Sequence, residues 1–258
     1  MLLLLDQSPL WVVYLVTVVI VLVAAEIGFR IGIWLQRRDP ESGKAPMTGA
    51  VVGGMLGLMA FLLAFSIGIV INQHNGRKAM VVTEANAVGT AYLRAGFLGE
   101  PDRTSMRDLL REYVEVRLAV AADLSPFDSG MARSEAIHGE LWSIVEDNFS
   151  QRDGSNSMAL FAESINEVID VHLLRLTAYE LRLPELFWLV LYIATVLSFL
   201  LVGVASSSDG KRDPLTILLF ALAYVAVLMI IVDLDRPQQG ILTVSQSALS
   251  DLLNQMTP

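Results

Sequence analysis

The sequence predicts an all-α integral membrane protein: four transmembrane helices in two hairpins, with a helical extramembrane domain inserted between spans two and three. Three observations predict it. The run from Ala45 to Gly76 holds no charged side chain, well beyond the about 20 apolar residues that cross a hydrocarbon layer roughly 30 Å thick. Gln7 to Ala25, Leu186 to Ser208 and Pro214 to Val232 are equally free of charge. With 54% hydrophobic and only 17% charged residues, the chain is too apolar for a soluble domain of this size.

Residues 1–36 are expected to form the first span, 46–73 the second and 184–232 the third and fourth. An acidic helical domain occupies 74–183 and a tail 233–258. The first segment is read as a span and not a cleaved leader, because no Lys or Arg precedes its long apolar stretch. Trp11, Tyr14, Trp34, Trp188 and Tyr192 fall where an interfacial aromatic belt is wanted. The second span is expected to run past Gly76 into the first helix of the acidic domain. A bend at Pro184 should separate that domain from the third span.

Between His74 and Leu183 there are 17 acids against 11 bases, which marks this stretch as a water-facing, acidic region. Its apolar positions recur at helical spacing: Val81, Ala85, Val88, Tyr92 and Ala95, then Met106, Leu109, Tyr113, Val116 and Val120. Ile137, Leu141, Ile144 and Val145 form a third stripe, and Met158, Phe161, Ile165, Val168, His172, Leu176 and Tyr179 a fourth. Breaks are expected at Gly99 to Pro101, Ser125 to Gly130 and Arg152 to Ser157.

Orientation follows from basic residues in short loops, which are retained in the cytoplasm during insertion. Arg37, Arg38 and Lys44 follow span one, and Lys211 and Arg212 link spans three and four. Both loops are therefore expected in the cytoplasm, with the termini and the acidic domain on the opposite side. The chain has no cysteine, which excludes disulfides and thiolate chemistry.

Within the second span, Gly49, Gly53 and Gly57 repeat at four-residue steps, and Ala60, Ala64 and Gly68 continue a ridge of small residues that lets backbones approach closely. Two readings stay open. The ridge packs against spans one and four of its own chain, or it packs against copies of itself about an axis. In the second case Gly57, Phe61, Ala64, Phe65, Gly68 and Asn72 line a pore, with Phe61 and Phe65 as a constriction that gates by dewetting. Glu26 and Arg30 share a helix face four residues apart, either as a structural clip or as an intramembrane gate or proton site. Asp233, Asp235 and Arg236 either end the fourth span or hold a cation.

Catalytic constellations are scarce. His74, His138 and His172 lie in different segments and match no zinc spacing, so His138 and His172 read as surface or core residues. Glu163, Glu167 and Asp170 line one helix face, as a solvated acidic surface or a weak divalent-ion site. The span glycines lack the Lys-Ser/Thr close of a phosphate loop, and an acidic domain without a basic stripe argues against nucleic acid. No enzyme activity, cofactor or metal is expected.

Three stretches carry a family resemblance. MAFLLAFSIGIVINQHNGRKAMVVTEANAVGTAYLRAGFLGEPDRTSMRDLLREYVEVRL (Met59 to Leu118), the tail LDRPQQGILTVSQSALSDLL (Leu234 to Leu253) and the step IGFRIG (Ile27 to Gly32) resemble the signature of a bacterial family of membrane proteins with a bestrophin-like domain. The resemblance implies a plan of two spans, a helical insert and two spans. It also implies a bacterial inner-membrane location and a homo-oligomer, since true bestrophins are pentameric anion channels with cytosolic helical domains. Their pore neck is lined by aromatic and aliphatic residues of the second span, a role that Phe61 and Phe65 match, whereas their calcium clasp has no counterpart here. The expected function is a homo-oligomeric membrane pore passing small ions, anions by resemblance, with the lipid bilayer as its other partner. The alternative is a membrane-anchored helical interaction or sensing module without a permeation path.

Overall fold

The computed structural model describes residues 8–38, 47–124, 126–151, 156–208, 214–236 and 240–256. These are all-helical: α1 (Leu10–Arg38), α2 (Met47–Arg94) with a short 3-10 turn at Ala95–Phe97, α3 (Asp102–Ala121), α4 (Phe127–Gln151), α5 (Asn156–Glu180), α6 (Glu185–Ser208), α7 (Pro214–Asp235) and α8 (Ser247–Gln255). Four helices are long and apolar enough to cross a membrane. α2 continues well past Gly76, and Leu181 to Pro184 interrupt the helix before α6, because a proline ring excludes the helical hydrogen bond and restricts the residue before it. The expected break at Ser125 to Gly130 is shorter than predicted. α4 already starts at Phe127, with the Gly130 amide bonded to the Pro126 carbonyl at 3.0 Å. Proline fits this first turn because the amide it lacks has no helical partner there. Lys44, Lys211 and Arg212, on which the orientation reading rests, lie outside the described residues, as do 152–155 of the third expected break.

The chain forms two compact units, Met1–Gln73 with Arg182–Leu242, and His74–Leu181 with Thr243–Pro258. The tail is thus shared between them. In the first unit, α1 and α6 make the closest approach. A Cβ at Gly28 would strike the Leu200 carbonyl, one at Gly203 the Ala25 carbonyl, and one at Gly32 the Ser207 hydroxyl, so only glycine permits this backbone separation. Val21, Met59, Leu63, Val70, Trp188, Leu191, Phe199, Val225 and Leu228 fill the core. Serine and threonine hydroxyls inside the spans return to their own helices, Thr17 to the Val13 carbonyl at 2.7 Å and Ser198 to that of Ala194 at 2.8 Å, as a medium without water requires. Leu15, Val19, Val23, Leu189, Ile193, Leu197 and Leu219 point outward, a surface suited to lipid.

The second unit packs the distal part of α2 with α3, α4 and α5 around Val81, Val88, Ala91, Met106, Leu110, Tyr113, Ile137, Leu141, Phe161, Ile165 and Val168. The buried face of α3 runs through Met106, Leu110, Tyr113, Val114 and Arg117, one step round from the Leu109, Val116 and Val120 stripe. α8 docks through Leu249, which is fully buried, and the Tyr92 hydroxyl donates to the Met256 carbonyl at 3.2 Å.

Candidate functional site

Along α2 two faces separate cleanly. Met59, Leu63, Ser66 and Val70 are buried, whereas Gly57, Phe61, Ala64, Phe65, Gly68 and Asn72 are all exposed, at the three- and four-residue steps that keep side chains on one side of a helix. Phe61 and Phe65 stack with ring centroids 6.3 Å apart. A Cβ at Gly49, Gly53, Gly57 or Gly68 would meet nothing within 4 Å. The ridge therefore does not pack on spans one and four of its own chain, one of the two readings the sequence left open. Close backbone packing within the chain belongs instead to Gly28, Gly32 and Gly203, two of which lie in the step IGFRIG.

On α1, Arg30 Nε donates to Glu26 Oε1 at 2.8 Å, with both side chains partly exposed. Glu26 also lines a small cavity of about 180 Å³ with Leu22, Ala25, Phe29, Ser206, Pro214 and Ile217. The two aspartates after the fourth span act on the backbone. Asp235 accepts from the Leu183 amide at 2.8 Å and Trp188 Nε1 at 3.2 Å, and Asp233 from the Ile241 and Leu242 amides at 2.8 and 3.0 Å. With both oxygens of each carboxylate engaged by donors, they serve as staples for the chain around them. Glu163, Glu167 and Asp170 are exposed, Asp170 accepting from Asn166 at 3.1 Å.

The helical unit contains a buried polar cluster that the sequence reading missed. Glu84 of α2 is fully buried and accepts from Arg117 Nε at 3.1 Å, from Tyr113 OH at 2.6 Å and from Arg175 Nη1. Tyr113 OH lies 3.0 Å from His172 Nδ1. The His172 ring meets His138 edge-on with centroids 4.8 Å apart, and His138 lies 5.2 Å from the Tyr113 ring. Arg175 Nη2 donates to Gln246 Oε1 at 2.6 Å, immediately before α8. Burial alone would push the Glu84 carboxyl up, but the adjacent Arg117 and Arg175 charges, with the hydrogen bonds from Tyr113 and Arg175, hold it below the usual carboxylate range. Burial and the Glu84 charge push the Tyr113 phenol up. Burial, then Arg117, pulls both histidines down to about 4.

His138 and His172, read from sequence as surface or core residues in different segments, are both buried and lie against each other. The signal was present: Glu84, Arg117, His172 and Arg175 occupy inward positions of stripes otherwise apolar, where a charge needs a buried counter-charge. Spacing along one helix cannot say which other helix supplies it.

Residues 10–249 match the family described as Bestrophin-like domain. Two crystal structures of point variants of a bacterial bestrophin homologue from Klebsiella pneumoniae are similar in fold, with TM-scores of 0.63 and 0.62 at 13% and 14% identity over 94% of both chains. A point variant described as a membrane protein aligns with a TM-score of 0.61 at 14% identity, again over 94% of both chains. No curated protein matches the sequence.

Proposed function

The chain belongs to the bestrophin-like domain family, and we propose from that premise that it is a homo-oligomeric membrane pore whose second span lines an ion path, with anions as the permeant class. The observation that carries this reading is the open face of α2. Gly57, Phe61, Ala64, Phe65, Gly68 and Asn72 form one uncovered stripe, while the opposite stripe is anchored in the core. Glycines at Gly49, Gly53 and Gly57 suit close approach of copies about an axis, and two stacked phenylalanines suit a hydrophobic constriction that opens by wetting. Asn72, at the end of the stripe, supplies a polar mouth. Purified protein in planar bilayers is expected to conduct, and Phe65→Ala to raise the current. A well-folded oligomer silent under both anion and cation gradients overturns the reading.

The family membership favours the bacterial inner membrane, and basic residues of the short loops favour those loops cytoplasmic with the helical unit outside. Labelling a cysteine placed at Ser129 only from the cytoplasm would reverse this assignment. A second reading, a membrane-anchored interaction or sensing module, draws on the acidic helical unit with its buried polar cluster and docked tail. An assembled particle with no water-accessible path between spans would favour it.

A further inference from the structure

We propose that His138 and His172 form an acid-sensitive lock on the helical unit, holding its helices and the C-terminal helix α8 in place only while both rings are neutral. The inference rests on the helical unit alone and stands whether or not the protein conducts.

Proton counting fixes the resting state. Tyr113 has one hydroxyl proton, and its short 2.6 Å contact to Glu84 Oε1 uses it. The 3.0 Å contact to His172 Nδ1 must then be donated by the ring, so Nδ1 carries the proton and Nε2 a lone pair. That Nε2 is buried without a hydrogen-bond partner, and so is Nε2 of His138. The side chains are almost fully enclosed, at 4% and 8% exposure. In the doubly protonated form either ring carries a buried Nε2–H with no acceptor among the described residues, in a site that water does not reach.

The charge balance makes that proton costly. The groups facing the two rings are Glu84 from α2, Tyr113 and Arg117 from α3, and Arg175 from α5, with Gln246 beyond Arg175. Two guanidiniums already stand against one carboxylate, since Glu84 is the only acid among the described residues paired with either. An imidazolium would add a second excess positive charge. The guanidinium of Arg175 also holds the tail through Gln246, so strain in the cluster reaches α8 directly.

The direction with pH follows. Both folded-state values lie near 4, below the ordinary 6.5, so the neutral rings stabilise the closed unit fully above about pH 6.5. That stabilisation is lost as the pH falls toward about 4.

The test is hydrogen exchange on the full chain in detergent micelles, corrected for the intrinsic pH dependence of amide exchange. Between about pH 7 and pH 5, protection of α8 and α4 is expected to fall by roughly four-hundredfold, about twentyfold for each histidine. In the double variant His138→Gln with His172→Gln the pH-dependent loss should shrink to less than about threefold. Protection unchanged by acid in the wild type, or the same acid loss in the double variant, overturns the proposal. Should that variant fail to fold, nitrogen NMR of the wild-type histidines decides. Both cluster rings are expected neutral at about pH 6, and titration of either at its ordinary value sinks the idea.

Discussion

A single carboxylate organises the interior of the helical unit. Glu84 is fully buried and bonded by Arg117, Arg175 and Tyr113, so removing its charge strands two guanidiniums in a medium that solvates them poorly. Glu84→Gln keeps the volume and is expected to destabilise the unit by about 3–5 kcal/mol, read as a lower thermal midpoint of the purified protein; an unchanged midpoint would refute the pairing. The Glu84 carboxyl is held below its ordinary 4.5, so its contribution is full above that value and fades as the pH falls through the lowered one. Tyr113→Phe leaves a Glu84 oxygen and His172 Nδ1 short of a partner. It should cost about 1–3 kcal/mol, measurable by denaturant unfolding.

At the scale of helices, two sets of glycines that look alike in sequence have opposite surroundings. Gly28 and Gly203 sit where α1 meets α6, and a side chain at either would collide with backbone. Gly28→Val or Gly203→Val is therefore expected to unfold or misassemble the span unit, seen as aggregation on size-exclusion chromatography. Gly53 faces open space, so Gly53→Val should leave the fold and thermal midpoint of the single chain intact while weakening self-association, measured by light scattering in detergent. If Gly53→Val lowers stability as much as Gly203→Val, the open face has been misread. Helix ends follow more local rules: Pro126 precedes α4 and Pro184 precedes α6, each placing the ring where a missing amide costs nothing.

Taken as a whole, the molecule closes its helical unit with the segment from Gln246 to Met256. Leu249 is fully buried, Met256 nearly so, and Gln246 bonds Arg175, so a chain ending at Leu242 should expose apolar surface around Tyr92 and Val88. Such a truncation is expected to bind a hydrophobic dye and to be cleaved faster by protease within α3 to α5; resistance equal to the full chain would show the tail to be dispensable. The family resemblance in Met59 to Leu118 and in the tail was readable in residues, and the family match over 10–249 agrees with it. The sequence by itself determined the four spans, the helical insert and the interruption at Pro184, because bilayer thickness, backbone hydrogen bonding in lipid and proline geometry are properties of single segments. Only the tertiary structure decided which glycines touch a neighbour and that Glu84, Tyr113, Arg117, His138, His172 and Arg175 converge. Helical periodicity reports which side of a helix is buried. It carries no record of which residue on another helix lies opposite, and the energies of buried charge are set by that pairing.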